Sequence, residues 1–239
     1  MSHEKAVGIV VRCTDWSETS RIVTLWTREF GKIQAIAKGG RRLKSNFEVA
    51  LDLLNICSIV LIRNSVGRLD ILTEARVEHR FTPLRSDLNA LNAGYYIAEL
   101  LGDGTQENDP HPGLFELAVH ALEQLRLKPA WKSVVALFEV GWLHEIGYQP
   151  CLDCCVACRK PYPGRGKALY TVSGGGLVCR DCSGTQRQRM VLAETTLQQL
   201  VTLNAGTAVE PDQNVREILN LTVTEILGRP SRVCKYLPM

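Results

Sequence analysis

Six of the nine cysteines fall between Cys151 and Cys182, and four of them form two knuckles, Cys155-Val-Ala-Cys158 and Cys179-Arg-Asp-Cys182, twenty residues apart. Two C-x-x-C pairs at that separation have zinc-site spacing. Each pair turns two thiolates to one side, and two facing pairs complete a tetrahedron. Gly164, Gly166 and the run Gly174-Gly175-Gly176 suit a short hairpin returning the chain to the metal. Cys151 and Cys154 share the spacing and compete for the role. A knuckle needs free backbone after its second cysteine: Cys158 leads into Arg159-Lys160-Pro161 and Cys182 into Ser183-Gly184, both turn-forming, whereas Cys154 runs straight into Cys155. The spacing therefore favours Cys155, Cys158, Cys179 and Cys182, with Cys151 or Cys154 left as a substitute ligand. A four-thiolate site has no position open to water, so the expected zinc is structural. A zinc deaminase would combine P-C-x-x-C with H-x-E. Pro150 to Cys154 supplies the first half, but Glu145 follows His144 directly.

No other cluster suggests catalysis, and the chain reads as a non-enzyme. His79, His111, His120 and His144 are scattered without a nucleophile motif, and no G-x-x-x-x-G-K-[ST] phosphate loop occurs. The second suggestive feature is Phe30 to Phe47, which holds Lys32, Lys38, Arg41, Arg42 and Lys44 and no acidic residue. Gly39-Gly40 lets a phosphate approach backbone amides closely. A solvated charged loop is the plain alternative. Five phosphate contacts would give single-strand binding a salt slope of about −3.5, at roughly −0.7 per contact. Trp16, Trp26, Phe30 and Phe47 are the nearest aromatics for base stacking, although Trp26 sits in a strand pattern that suits the core. Arg159, Lys160, Arg165, Lys167, Arg180, Arg187 and Arg189 decorate the cysteine segment and could extend a phosphate track.

The elements that must position these residues follow from periodicity. Ala6–Val11, Ile22–Trp26, Lys32–Lys38, Ile56–Ile62 and Arg68–Leu72 are short runs rich in β-branched residues, separated by turn formers. Five strands in the first eighty residues predict a small barrel, of OB type or SH3-like. Helical stripes follow at Leu88, Leu91, Tyr95, Ala98 and Leu101, at Leu114, Leu117, Ala121 and Leu125, and at Trp131, Val134, Val135, Phe138 and Trp142. The third helix should stop near Gly147. Leu197, Leu200 and Val201, then Val215, Ile218, Leu219 and Thr222, predict two more helices that pack back on the middle ones. The fold class is thus α+β: residues 1–80 a five-stranded OB-fold barrel, 81–150 and 190–239 an α-helical domain, and 151–189 an embedded four-cysteine zinc module.

Charge is uneven: residues 1–80 hold 13 Lys/Arg against 9 Asp/Glu, 81–150 hold 4 against 9, and 151–239 hold 11 against 7. The two ends suit a polyanion and the middle repels one. The start lacks the apolar stretch of a secretory signal, and no run is long enough for a membrane span. Nine cysteines, some at metal spacing, then favour a reducing cytoplasm.

The order of these parts resembles the bacterial recombination-repair RecO family. The match is clearest in Thr24-Leu25-Trp26-Thr27-Arg28-Glu29-Phe30-Gly31-Lys32, in Ala37-Lys38-Gly39-Gly40-Arg41-Arg42-Leu43-Lys44-Ser45, and in Gly147-Tyr148-Gln149-Pro150-Cys151-Leu152-Asp153 leading into the knuckles. Cys151 and Cys154 fall on variable positions of that pattern. The resemblance implies an N-terminal OB fold, a helical domain and a zinc module. It also implies binding of single- and double-stranded DNA, annealing of complementary strands, and action with RecR to load RecA onto DNA coated by single-strand-binding protein (SSB). RecF is a further implied partner, and the bacterial nucleoid the implied place of action. Lys38, Arg41, Arg42 and Lys44 match the family's basic loop, so the resemblance implies DNA contact there. The rival readings are a zinc-ribbon adaptor between proteins and an RNA-binding barrel without annealing activity.

Overall fold

The computed structural model describes residues 3–42, 45, 47, 49–64, 68–127, 130–163, 166–186 and 189–237. It divides into two compact units, Met1–Leu127 and Lys128–Met239. That division falls inside the helical stretch expected to form one domain. The first two helices fall with the barrel because the first packs on two of its strands and the second packs on the first.

In the first unit, β1 (His3–Asp15), β2 (Arg21–Thr27), β3 (Gly31–Ala37), β4 (Ile56–Ile62) and β5 (Asp70–His79) close into a barrel in the order β1-β2-β3-β5-β4. All neighbours are antiparallel except β3 and β5, which pair in parallel through Ala35–Asp70, Ile36–Ile71 and Ala37–Leu72. This is a closed Greek-key barrel of OB type. Alternation fills its interior with Val10, Val23, Leu25, Ile33, Ala35, Ile59, Leu61 and Leu72, and the β3–β4 connection adds Phe47, Ala50 and Leu51 as a plug. β5 runs seven residues beyond the expected Leu72. Its Glu74, Arg76 and Glu78 face outward while Ala75 and Val77 turn toward the barrel, so the charges hid a one-faced strand.

α1 (Leu88–Asp103) is capped by the Asp87 carboxylate, which accepts from the amides of Asn89 and Ala90. α2 (Pro112–Arg126) starts with proline at its first position. The buried face of α1 includes Ala93, Tyr96, Ile97 and Leu100, rotated from the expected stripe, and Leu88 is 71% exposed. The rotation arises because α1 packs both on the barrel and on α2, which leaves little of its middle in water.

The second unit holds α3 (Trp131–Glu145), a three-stranded antiparallel sheet in the order β7-β6-β8, and two further helices. The strands are β6 (Ala168–Thr171), β7 (Gly176–Val178) and β8 (Arg189–Leu192), with the single helical turn α4 (Arg180–Ser183) between the last two. α5 (Glu194–Asn204) and α6 (Gln213–Leu227) pack on α3, as their apolar stripes require. α3 gives way to Gly147 at φ 84°, and α6 to Gly228 at φ 66°. Between α3 and α6, the Arg216 guanidinium donates to both carboxylate oxygens of Glu139, a buried ion pair. Among the described residues, no helix is long and apolar enough to cross a membrane.

Candidate metal centre and nucleic-acid interface

The four favoured thiols converge. The Sγ atoms of Cys155, Cys158, Cys179 and Cys182 all lie within 4.8 Å of one another. Cys158 and Cys179, one from each knuckle, stand 3.7 Å apart. A tetrahedron of thiolates around zinc has edges of about 3.8 Å, given Zn–S bonds near 2.3 Å, so the cluster has the right size. In the first knuckle, the Cys155 amide donates to Lys160 O and the Arg159 amide to Cys155 O, closing the turn that the sequence after Cys158 allowed. Arg159 takes φ 61° there, a left-handed position that glycine would occupy without strain. The second knuckle sits where β7 passes into α4.

Local fields differ among the four. Burial pushes the Cys155 thiol up, but amides of Cys158, Cys179 and Ala157 outweigh it and bring the group down to about 6. Cys182 is pushed up to about 12, first by its hydrogen bond to Cys179 and then by that to Cys158. A dication bound here would displace the protons of these thiols.

Cys151 and Cys154 form a separate pair, 3.3 Å apart with Asp153 beside them. Backbone bridges hold it: Cys151 N donates to Gly175 O and accepts at O from Leu177 N, while Cys154 bridges Pro161. Gly176 is required at this crossing, because a Cβ there would stand 2.4 Å from Cys151 O. The pair thus straps the segment before the knuckles to the β7 hairpin, outside the four-thiol cluster.

The basic residues divide. Lys32 turns inward: its ammonium donates to Gly102 O at 2.8 Å and Thr105 O at 2.5 Å, capping the last turn of α1. Burial lowers its pKa from the usual lysine value, opposed by Glu107 and Asp103. The reason lies in how β2 and β3 are roofed. Asn108 N donates to Lys32 O, Gln34 donates to Glu107, and Gly31 at φ 65° admits the Asp109 carbonyl where a Cβ would sit only 2.0 Å away. Trp26, facing out of the barrel, stacks on His111 at 6.4 Å. The sheet face that OB barrels commonly offer to oligonucleotides is here covered by the chain's own residues 102–115.

Lys38, Arg41 and Arg42 stay exposed in a tight turn after β3, with Gly39 at φ 75° and hydrogen bonds from Gly40 N to Ala37 O and Arg42 N to Gly39 O. Lys44 lies outside the described residues, as do Arg165 and Arg187. Arg41 ties this turn to the β1–β2 turn: its amide donates to Thr19 O, its guanidinium to Ser17 O at 2.7 Å, and Nε lies 3.3 Å from Asp15. Lys38 and Arg42 have no ion pair among the described residues. Of the four aromatics, Trp26 and Phe47 are buried and Phe30 lies partly buried beneath the Arg63 guanidinium, 4.7 Å from its ring centre. Trp16 is 65% exposed. Around the cysteine module, Arg159, Lys160, Lys167, Arg180 and Arg189 are described, and Arg189 donates to Ser183 O.

Two family models together span almost the whole chain: recombination protein O N terminal over residues 1–81 and recombination protein O C terminal over residues 85–227. A DNA repair protein RecO of Rhodopirellula baltica is 32% identical over 264 aligned positions, covering 97% of this chain and 98% of that protein. One of Anaeromyxobacter dehalogenans is 32% identical with 99% and 96% coverage, and one of Bacillus pumilus 32% identical with 82% and 75%. An OB-type barrel, a following helical segment and a four-cysteine cluster in one chain, matched along nearly its full length, place it in the RecO family of DNA repair proteins, with a general role in recombination repair.

Proposed function

We propose that the chain is a non-enzymatic mediator of recombinational repair. It binds single- and double-stranded DNA, anneals complementary strands, and with RecR assists loading of RecA onto SSB-coated DNA in the cytoplasm, at the nucleoid; RecF joins the same pathway. Residues 1–80 supply the DNA-binding barrel, the helices of 81–150 and 190–239 the contacts to protein partners, and 151–189 a zinc module. The observation carrying this reading is the pair of linked turns at one end of the barrel, where Lys38, Arg41 and Arg42 stay exposed while the β2–β3 face is roofed. Lys44, two residues beyond Arg42 in the sequence, is proposed as a further contact; Lys32 has its ammonium committed to α1.

Annealing needs no bond chemistry from the protein. Two complementary strands repel through their phosphates, and cations placed along both lower that barrier while base pairing supplies the driving force. The four thiols Cys155, Cys158, Cys179 and Cys182 would hold zinc, whose contribution is to fix the two knuckles and the β6–β7–β8 sheet. The cluster's closed donor set leaves the metal no reaction to perform.

Reversal of two exposed charges tests the reading. K38E with R42E should leave the melting temperature within a few degrees and slow annealing of complementary oligomers at least about tenfold, since each reversal removes one phosphate contact and adds a repulsion. Undiminished annealing by the folded double variant would contradict it.

A further inference from the structure

The β2–β3 face is covered, but the turns at one end of the barrel keep Lys38, Arg41 and Arg42 exposed, and that end also carries an exposed indole. Trp16 begins the β1–β2 turn, its amide donating to Ser20 O at 3.0 Å. Its two neighbours both touch Arg41: Asp15 through Nε at 3.3 Å and Ser17 through its carbonyl at 2.7 Å. Thr19 O accepts from the Arg41 amide. The indole-bearing turn and the basic turn are therefore one linked surface. β2–β3 pairing places both at the same barrel end, with Arg21 opposite Ala37.

Charge at this end is arranged around the ring. Asp15 is engaged by Arg21 at 3.1 Å and by Arg41, so it adds little net negative field. Glu18 is exposed on the same turn, and Asp52 of the β3–β4 connection acts with Asp15 on neighbouring Cys13. Lys38 and Arg42 balance Glu18 from the neighbouring turn. An indole 65% in water is costly for a monomer to display without use, whereas every nucleobase has a π-face that it can cover.

We infer that Trp16 is a base-stacking platform: it takes an unpaired nucleobase of a single strand while Lys38 and Arg42 hold the flanking phosphates. This inference rests on the DNA-binding reading above and deepens it. Stacking needs no base-edge hydrogen bonds, so recognition is tolerant of sequence. A duplex keeps its bases stacked internally and cannot offer one without unpairing. The platform therefore gives the barrel end a preference for single strands, while the cations alone serve duplex backbone. Glu18 works against phosphate and limits the affinity of both.

The test uses the full chain, the variants W16A and W16F, and three probes at one salt concentration: a mixed-sequence single strand, a strand of equal length with a central abasic run, and a duplex. W16A should weaken binding of the mixed strand about tenfold, with abasic-strand and duplex binding within twofold of the unaltered chain. W16F should retain most of the affinity. Adding the mixed strand should quench tryptophan emission more in the unaltered chain than in W16F, because Trp26 and Trp142 are fully buried and the remaining indole, Trp131, is half-buried and contributes equally in both. Equal affinity of W16A and the unaltered chain for the mixed strand overturns the inference. So does an equal loss on all three probes, which marks a distorted turn rather than a lost stack. Failure of the unaltered chain to bind any probe overturns the DNA-binding reading itself, and this inference with it.

Discussion

Removing metal from the second unit should unfold a defined part of it. β6, β7 and β8 contribute four, three and four residues, and such short strands hold little independent stability. The buried apolar side chains of these strands, with Val172 just beyond β6, are few: Ala168, Tyr170, Val172, Leu177, Val178 and Leu192. At about 2 kcal/mol each for full burial these contribute on the order of 10 kcal/mol. Ordering the roughly 25 residues from Gly166 to Leu192 costs more than that, at about 1 kcal/mol or more per residue. Zinc binding by four thiolates supplies about 10 kcal/mol or more toward that shortfall, so the sheet is expected to depend on the metal. The assay is metal release by a colorimetric chelator under thiol-reactive conditions, followed by amide exchange resolved by peptide. One zinc per chain should leave, exchange should accelerate across 151–192, and peptides of β1–β5 should keep their protection. C158S should abolish stoichiometric zinc, whereas C151S and C154S should retain it. In the zinc-loaded chain, a small alkylating reagent should label Cys151 and Cys154 well before the four cluster thiols. Unchanged protection of β6–β8 after complete metal removal would refute the reasoning, and loss of zinc from C151S or C154S would refute the ligand assignment.

Glu139→Ala should cost about 3–5 kcal/mol in urea denaturation, because it leaves the Arg216 guanidinium buried without its carboxylate. Joint replacement of both residues by methionine should recover most of the loss, and a cost below about 1 kcal/mol for the single variant would mean the pair is hydrated. Gly31→Ala combines a left-handed φ with a Cβ placed 2.0 Å from Asp109 O, so it should cost at least about 2 kcal/mol and raise proteolysis within 105–110. Alkaline pH should destabilise the chain. Burial pushes Cys57 from 9.0 up to about 12, and Tyr170 from 10.0 up to about 12. The folded state therefore holds protons that the unfolded state releases, so their stabilisation is complete below about pH 9 and is lost as pH rises toward 12. Each group steepens the fall in unfolding free energy by about 1.4 kcal/mol per pH unit within its window, and C57A should remove one such contribution from the first unit.

The barrel and the cysteine cluster were legible because their signals are local. β-Branched runs with turn formers between them mark strands, and two C-x-x-C knuckles with turn residues behind them mark a metal site whatever the surrounding fold. The fate of Lys32 was not legible. Strand alternation places it on the outer face of β3 beside Gln34, but the roof that captures it comes from residues 102–115, some seventy positions later. The same roof explains Trp26, which is buried outside the barrel against His111 rather than in its interior. Glu139 escaped notice because a charge within an apolar stripe declares nothing until its partner on α6 is placed. β8 was hidden because Arg189–Leu192 is too short for alternation to show and pairs only with β6. The linked turns at the barrel end were half visible: glycines and cations marked one, but only the Arg41 contacts join it to Trp16.

Binding of a mixed-sequence single strand across a salt series tests the electrostatic surface most directly. Lys38, Arg41 and Arg42 as three phosphate contacts give a log–log slope of about −2, at roughly −0.7 per contact, with Lys44 able to add one more contact. The K38E and R42E double variant should flatten that slope to about −0.7 or less. Association that ignores salt, or a double variant with the slope of the unaltered chain, would contradict a DNA surface at this end of the barrel.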